Sequence, residues 1–478
     1  MSRDEKSIIM TGRQVGDGTS RSKKQAWPML EFGNTYNPDI KKLSNLRPTL
    51  KIPQSRKSQA EEGDGSRSLR SEKVEETVLE EVVSPSSRSK NNLDILRQST
   101  SQNMADDLDL DHCFYDLSNV DMRFYRSIDY DSLGQDKEIL VRDTWAMFKG
   151  SNVVDVFEIM PSNFSNFIDQ AYKDYQRHGN TYHNFSHGVN VLNVCYFFLK
   201  EGNLNLYFDS LSVAALMFAS LMHDVGHTGN NNKFEELNRS DLAILYNDTS
   251  ILEMHHAALS FSILLVPDNN IFKSMDKEDF FLFRKYVIKG ILSTDIKNHF
   301  ADLVILKSRI DSTNFQPHVD AKDPKDFMLL FGVLVHCADL YTPTKNHPNS
   351  IEWARLLNQE FLCQVQKEKD LGLPVTPYYE KVGDPVEMAI SEKMFIESIT
   401  RPLWSEVDRF FEGKLSGQLS NIDKNHKYWD DLEKGDVNMN SISVVDNLSH
   451  NSDYSQEEGP NFGQPGDHEI SQILPDEK

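Results

Sequence analysis

Apolar residues recur at helical spacing through the central part of the chain, over about 300 residues. Short clusters of Gly, Pro, Asn and Asp separate the apolar segments, as expected where helices end and loops begin. No stretch alternates apolar and polar residues with a period of two, so no strand is predicted. These observations favour one large all-α domain. The pattern predicts helices over Asp143–Phe148, Phe164–Gln176, Val189–Leu199, Leu211–Met222, Ser240–Tyr246, Ile251–Leu265, Asp279–Ser293, Ala301–Arg309, Asp326–Asp339, Ile351–Lys369, Pro385–Arg401 and Leu403–Phe411.

Two flanking segments lack this pattern. Residues 1–107 are rich in Ser, Arg, Lys, Glu and Asn, and residues 433–478 are rich in Asn, Ser, Asp and Gly. Neither segment has enough apolar surface to offset the entropy lost on ordering, so we predict a mostly disordered N-terminal region and a disordered acidic C-terminal tail. The folded domain is expected at 108–432. The N-terminal region is a candidate site for regulatory partners or kinases, and the sequence specifies neither these nor an oligomeric state.

Charge and cysteine usage argue against several classes of protein. The formal net charge is -22, which repels phosphate and argues against nonspecific nucleic-acid binding. No uncharged apolar run reaches the roughly 18 residues that a membrane span needs, and no apolar signal core is found at the N-terminus. Three of the four cysteines, Cys195, Cys337 and Cys363, lie in apolar helical patterns that predict buried reduced thiols. A soluble cytoplasmic protein is the expectation.

The most informative stretch runs from His223 to Gly229, with the sequence HDVGHTG. An adjacent His and Asp present one neutral nitrogen and carboxylate oxygens at a single point, which suits a divalent cation. The segment Leu211–Met222, directly before it, is apolar almost all round, so a buried helix is expected to hold the pair rigidly. Taken alone, such a pair is more often a surface or capping pair than a metal site.

Further candidate ligands lie at the ends of two other apolar helices. His183 and His187 are four residues apart at the start of one helix. Asp339 ends another, where an Asp alone would more often cap the next element. Two imidazoles and two carboxylates from three helix ends make a layout typical of hydrolytic metal sites. The members of this set are His187, His223, Asp224 and Asp339.

With these motifs the chain resembles the class I cyclic-nucleotide phosphodiesterases, a branch of the HD metallohydrolases. The resemblance extends from about Asp129 to Trp429 and implies an all-α catalytic domain of that family. It rests on YHNFSH at Tyr182–His187, HDVGHTG at His223–Gly229, YNDTSILEMHH at Tyr246–His256, STD at Ser293–Asp295, VHCADLYTPTK at Val335–Lys345 and RPLW at Arg401–Trp404.

The resemblance implies a reaction and roles in it. The substrate would be cAMP, cGMP or both, hydrolysed at the 3′ phosphoester bond to a nucleoside 5′-monophosphate, which terminates cyclic-nucleotide signalling. The four-residue set would bind a first divalent ion, expected to be Zn²⁺, and Asp224 would bridge to a second, expected to be Mg²⁺ or Mn²⁺. A hydroxide between the ions would attack phosphorus. His183 would protonate the departing O3′ as the general acid.

Four further residues are candidates for orienting ligands, waters or substrate, and three of them match family positions. The resemblance assigns three of them to metal-bound waters or the substrate phosphate, namely His227, Glu253 and Thr294. Glu360 is the candidate for holding the His183 ring, and the alternative is a solvent-facing helical Glu. His255 and His256 are expected to be buried core residues and not ligands.

The base pocket is also assigned by resemblance, and it departs from the family pattern. Phe395 matches the aromatic that stacks on the purine, with Leu357 on the opposite wall. Tyr182 is a further substrate-binding candidate. Glu392 stands where the family carries a glutamine, and Thr342 stands where many members carry Asn or another polar residue near the base. The resemblance therefore leaves the purine preference open.

An ionised Glu392 only accepts hydrogen bonds, so it matches neither the adenine nor the guanine edge fully. Either apolar surroundings keep Glu392 protonated, which restores one donor, or the side chain points to solvent. The family's usual preferences favour cAMP or dual specificity. Two other functions remain as alternatives: an HD-type hydrolase of another phosphoester, and a pseudoenzyme that binds cyclic nucleotide without hydrolysing it.

Overall fold

The computed structural model describes residues 117, 120–127 and 129–437. The predicted N-terminal region and nearly all of the predicted tail lie outside the described residues, and the domain boundaries stay predictions. Within the described part every regular element is helical, as the sequence predicted. No helix in that part is long and apolar enough to cross a membrane.

The helices follow one another along the chain with short connections. In chain order they are α1 (Lys137–Gly150), α2 (Val153–Val156), α3 (Pro161–Gln176), α4 (Phe185–Glu201), α5 (Ser210–Met222), α6 (Asn232–Asn238), α7 (Asp241–Tyr246), α8 (Ile251–Leu264), α9 (Lys277–Leu292), α10 (His299–Ile310), α11 (Lys325–Asp339), α12 (His347–Leu371), α13 (Pro385–Phe395), α14 (Arg401–Phe410) and α15 (Ser416–Lys434).

Helix α5 lies inside the domain, and every residue from Leu211 to Met222 is buried. It packs against α4, α9 and α11, so apolar side chains surround it. Asp209 caps its N-terminus by accepting a hydrogen bond from the Ser212 backbone amide. A helix held on all sides gives a rigid position to the residues that follow it, beginning with His223.

The segment predicted as one helix from Pro385 to Arg401 is interrupted in the structure. Helix α13 ends at Phe395, residues 396–400 form a wider π-helical turn, and α14 begins at Arg401. Pro402 has no N–H and cannot make the α-helical hydrogen bond to the carbonyl four residues earlier. The widened turn directly before Pro402 accommodates the missing donor and the proline ring.

The sequence analysis did not predict α2, α6 or α15. In α15 the residues at alternating spacings of four and three are buried: Gln418, Ile422, Asn425, Trp429 and Leu432. Two of these five are amides, so the helix did not stand out from apolar residues alone. Nδ2 of Asn425 donates to the carbonyls of Pro343 and Lys345 at 2.9 and 3.0 Å. The missed helix therefore supports the turn that follows Asp339.

The prediction of buried thiols holds for Cys195 and Cys337 but is wrong for Cys363, which is exposed. Helix α12 buries one face, which carries Glu360 and Gln364. Cys363 falls on the outer face, next to the exposed Leu362. Apolar neighbours in the sequence were a poor guide to burial on this helix.

Candidate active site

Three helix ends meet at one point in the domain. His187 lies in the first turn of α4, where Asn184 caps the helix by accepting hydrogen bonds from two backbone amides, including that of His187. His223 and Asp224 directly follow α5, and Asp339 is the last residue of α11. The packing of α4 and α11 against α5 therefore brings together side chains that are far apart in sequence.

The four side chains approach one another closely. Nε2 of His187 lies 3.1 Å from Nε2 of His223. The same two nitrogens lie 3.3 and 3.2 Å from Oδ2 of Asp224. Both lie 3.2 Å from Oδ1 of Asp339. The four predicted first-ion ligands thus turn one atom each towards a common centre.

The hydrogen bonding of His223 shows what kind of group fits that centre. Nδ1 of His223 donates to the Ser220 carbonyl at 2.9 Å, since a carbonyl oxygen only accepts. In the neutral ring Nε2 then carries a lone pair. That lone pair faces the carboxylates of Asp224 and Asp339, which are also acceptors. Buried acceptors repel one another unless a cation lies among them, so this donor set fits a divalent ion.

The spacing and burial of the four atoms also fit an ion. Tetrahedral ligands about 2.0 Å from a zinc ion lie about 3.3 Å from one another, which is close to the separations found here. The side chains of His187 and His223 are fully buried, whereas those of Asp224 and Asp339 are 13% and 20% exposed. The imidazoles therefore form the floor of the site, and the carboxylates lie towards solvent.

The second carboxylate oxygen of Asp224 faces another group of side chains. Nε2 of His256 lies 3.5 Å from Oδ1 of Asp224, and Nδ1 of His256 donates to the Val225 carbonyl at 2.9 Å. Ligand atoms of Asp224, His227 and His256 lie within 4.8 Å of one another. His256 is buried as expected, but the sequence analysis did not anticipate that it lies beside Asp224.

His183 lies beside the cluster, and Glu360 binds the ring nitrogen that points away from the cluster. Nδ1 of His183 lies 2.5 Å from Oε1 of Glu360, and the backbone amides of Tyr182 and His183 donate to Oε2 at 3.1 and 3.2 Å. The Glu360 side chain is only 6% exposed, so the solvent-facing alternative is wrong. Nε2 of His183 lies 4.0 Å from Oδ2 of Asp224. The free ring nitrogen therefore faces the cluster.

The charges around His183 favour its protonated ring. Burial lowers the pKa of His183, but the Glu360 carboxylate, with smaller effects of Asp224 and Asp339, raises it to about 9. The His227 ring stacks on that of His183 with 4.0 Å between the ring centroids. Burial and the charge of His183 hold the pKa of His227 well below its ordinary value. These pKa directions favour a protonated His183 ring beside a neutral His227 ring at neutral pH.

A match to a family model identifies the family to which this chain belongs. Residues 182–422 match the model described as 3'5'-cyclic nucleotide phosphodiesterase. The chain belongs to this family. The matched range includes the four clustered ligands, His183 and Glu360. The phosphodiesterase family is metal-dependent, and the cluster of two His and two Asp residues is a group that could bind a metal ion in this member.

Individual phosphodiesterases are similar over part of their length. The Drosophila melanogaster 3',5'-cyclic-AMP phosphodiesterase, isoform F, is 31% identical over 290 residues, which make up 60% of this chain and 43% of that protein. The Bos taurus dual specificity calcium/calmodulin-dependent 3',5'-cyclic nucleotide phosphodiesterase 1B is 29% identical over 337 residues, 68% of this chain and 60% of that protein. The chain thus spans less than two thirds of these relatives.

Solved phosphodiesterase domains share the helical fold. The crystal structure of the phosphodiesterase domain of the RhoPDE fusion protein from the choanoflagellate Salpingoeca rosetta has a TM-score of 0.62 and 29% identity, and the match covers 65% of this chain and 96% of that one. A second structure of the Salpingoeca rosetta rhodopsin phosphodiesterase domain has a TM-score of 0.61 and 26% identity, with 73% and 99% covered. These matches confirm the predicted all-α phosphodiesterase fold.

Glu253 and Thr294 are the two other residues that the family resemblance assigned to waters or phosphate, and their surroundings differ. Nδ2 of Asn232 donates to both carboxylate oxygens of Glu253 at 3.2 and 3.0 Å. Burial, followed by the charge of Asp295 and with a smaller effect of Asp224, raises the pKa of Glu253 to about 7. Thr294 follows α9, and its hydroxyl donates to the Ile291 carbonyl at 2.8 Å.

The predicted base-pocket residues come from four parts of the chain. The hydroxyl of Tyr182 lies 3.0 Å from Oγ1 of Thr342, and both residues are buried beside the cluster. Leu357 on α12 is partly buried against the core. Phe395, the last residue of α13, is also partly buried. Of these residues Tyr182 lies against the cluster, with 4.8 Å between the centroids of its ring and the His187 ring.

Glu392 is buried, which excludes the predicted alternative of a solvent-facing side chain. It is 8% exposed, and its Oε1 accepts a hydrogen bond from Nδ2 of Asn358 at 3.2 Å. Burial raises the pKa of Glu392 to about 7 although the Asn358 hydrogen bond lowers it. Asn358 was not anticipated, because a lone Asn on a helix carries no sequence signal of a buried carboxyl partner.

Proposed function

We propose that this chain hydrolyses 3′,5′-cyclic nucleotides, cAMP or cGMP or both, to nucleoside 5′-monophosphates in a metal-dependent reaction. One observation carries the proposal. A ring held as a cation, His183, lies 4.0 Å from Asp224 at the edge of a four-ligand cluster. A metal centre next to a proton donor is what cleavage of a phosphoester with a poor leaving group requires. The names of the relatives support the same chemistry.

The residues for the metal centre follow from the donor set. His187, His223, Asp224 and Asp339 would hold the first ion, and two nitrogen and two oxygen ligands suit Zn²⁺. Asp224 would share its other oxygen with a second ion, for which Mg²⁺ or Mn²⁺ is proposed because these ions readily keep water ligands. The bound ions would supply an activated water and neutralise charge on the phosphoryl group.

The chain's own residues supply the proton and the orientation. His183 would donate the proton on Nε2 to the departing O3′, which otherwise leaves as a strongly basic alkoxide. Glu360 keeps Nδ1 of the ring engaged and turns Nε2 towards the cluster. His227, Glu253 and Thr294 are proposed to orient water or phosphate around the ions. The base would pack between Phe395 and Leu357, with Tyr182, Thr342 and Glu392 at its polar edge.

The proposal is tested by removing metal from the purified protein with a chelator and then adding back Zn²⁺ with Mg²⁺ or Mn²⁺. Each sample is incubated with cAMP or cGMP, and the products are separated by chromatography. We expect the 5′-monophosphate, and only after metal is returned. Asp339→Asn should abolish turnover, whereas Asp311→Asn, the same change at an exposed ion pair, should not.

Two other outcomes would refute the proposed activity. Binding of cyclic nucleotide with bound metal and no product would identify a non-hydrolysing binder, which the acidic Glu392 in the base pocket makes worth testing. Cleavage of a simple phosphodiester such as bis(4-nitrophenyl) phosphate, without cleavage of either cyclic nucleotide, would identify a hydrolase of another phosphoester. We also propose a cytoplasmic location and regulation through the N-terminal region, as predicted from the sequence.

A further inference from the structure

A buried acid and a buried amide face each other between α12 and α13. Glu392 is 8% exposed and Asn358 is 3% exposed. Nδ2 of Asn358 donates to Oε1 of Glu392 at 3.2 Å and to the Ala354 carbonyl at 2.8 Å. Two residues further along α12, Glu360 holds His183. The same helix therefore supports both the proton donor and the polar edge of the base pocket.

The Ala354 carbonyl determines which way the Asn358 amide points. A carbonyl oxygen only accepts, so the atom beside it must be the nitrogen of the amide. The flipped amide would place Oδ1 against the Ala354 oxygen, and two buried acceptors repel each other. Oδ1 itself is buried without a hydrogen-bond partner. The amide N–H is consequently directed at Oε1 of Glu392.

No cationic side chain among the described residues is found to act on the charge of Glu392. The polar groups that interact with it include the Asn358 amide and the phenols of Tyr182 and Tyr378, and the pKa of each phenol is held well above its ordinary value, first by burial. On α15, Asp430 and Glu433 bind Lys393, the next residue after Glu392. Within the described residues no cation pairs with Glu392. A buried carboxyl without a cation is favoured in its neutral form.

We propose that Asn358 is a positioning residue that fixes a neutral Glu392 carboxyl, so that Oε2 carries the hydroxyl that Glu392 donates to the purine. The N–H of Asn358 makes Oε1 the carbonyl oxygen of the acid, which leaves the proton on Oε2. This inference rests on the proposed function and names the group that selects the purine. Asn358 acts through Glu392 and does not contact the substrate.

A carboxyl fixed in one orientation distinguishes the two purines. At positions 6 and 1 adenine presents a donor and then an acceptor, and guanine presents an acceptor and then a donor. A neutral carboxyl also presents one donor and one acceptor, but their order reverses when the proton moves to the other oxygen. Because Asn358 prevents that exchange, the pocket matches one purine and leaves polar groups of the other unpaired.

The first test measures kcat/KM for cAMP and cGMP between pH 6 and 9. Wild type should prefer one nucleotide, and Asn358→Leu should reduce that preference about tenfold, mainly through KM. Glu392→Gln retains one donor and one acceptor, so it should keep the preference. The ratio of wild type to Glu392→Gln should fall about tenfold per pH unit above the pKa of Glu392, which is about 7. Because His183 titrates in both proteins, its effect on kcat/KM cancels in this ratio.

The matched control is Glu397→Gln, the same change at an exposed carboxylate that binds His426. It should have the pH dependence and preference of wild type. A constant ratio of wild type to Glu392→Gln across the pH range overturns the neutral carboxyl. An unchanged purine preference in folded Asn358→Leu overturns the positioning role.

A second measurement separates this inference from the proposed function and needs no substrate. The infrared difference spectrum between wild type and Glu392→Gln at pH 6 should contain the carbonyl stretch of a protonated carboxyl, which should disappear at pH 9. Its absence at pH 6 refutes the inference even if the enzyme is active. If the stretch is present but wild type neither hydrolyses nor binds a cyclic nucleotide, the purine-reading role is refuted together with the proposed function.

Discussion

Replacing Glu360 with Gln tests whether the Glu360 carboxylate raises the pKa of His183, the proposed proton donor. The carboxylate receives three hydrogen bonds, one from the His183 ring and two from the backbone amides of Tyr182 and His183. The Gln amide has a single oxygen for these three donors, and its nitrogen would face a donor. The substitution therefore removes the negative charge and at least one hydrogen bond without removing a proposed metal ligand.

The magnitude follows from the pKa of His183. With Glu360 present this pKa is about 9, so the ring is about 99% protonated at pH 7. Without the carboxylate, burial dominates and the pKa falls towards or below the ordinary value of about 6.5. A fall of about 2.5 units corresponds to about 3 kcal/mol. The His183 side chain is 21% exposed, so solvent screening makes this an upper bound.

The assay is the pH dependence of kcat/KM for the better cyclic nucleotide. Because the protonated ring is the proposed donor, we expect activity to be lost as the pH rises through the pKa of His183. We expect the alkaline limb of Glu360→Gln to lie at least one unit lower than in wild type, with at least a tenfold loss near pH 8. Glu352→Gln, which removes a carboxylate from an exposed ion pair on the same helix, should leave the profile unchanged.

Metal content decides how a loss of activity is interpreted. Glu360→Gln should bind as much metal as wild type, because the four ligand atoms do not depend on the Glu360 carboxylate. A variant that loses metal, or one with the wild-type profile and full activity, would show that Glu360 does not act through the charge of His183.

Three further predictions concern the proposed proton donor His183, the proposed metal ligand Asp339 and the turn at Gly226. His183→Ala should retain its metal and lose activity by roughly 10²–10⁴-fold at neutral pH, and metal loss would contradict its assignment. Asp339→Asn should lower metal content as well as turnover, measured by elemental analysis after dialysis. Gly226→Ala should lower the free energy of unfolding by about 1–3 kcal/mol, because Gly226 has φ +76° and an added Cβ would lie 2.5 Å from Leu259. Gly372→Ala, at φ +66° with open space around it, should cost less, and equal losses in thermal unfolding would refute the steric argument.

The sequence alone determined the helical fold and the identity of the clustered side chains. Apolar periodicity reports a local property, the face that each helix buries, so long apolar helices such as α5 were predicted within a few residues. Candidate metal ligands could also be named from the sequence, because few residue types bind divalent ions and these candidates lie at the ends of apolar helices. Helix α15 escaped this reasoning because amides occupy part of its buried face.

Only the tertiary structure decided what surrounds each polar side chain. The direction of Glu360, the position of His256 beside Asp224 and the burial of Glu392 against Asn358 depend on which distant helix packs there. Desolvation and neighbouring charges change a pKa over a few ångströms, so residues far apart in sequence control them. Residue types therefore indicated the candidate chemistry of the site, and the packing of the helices determines the pKa directions of its side chains.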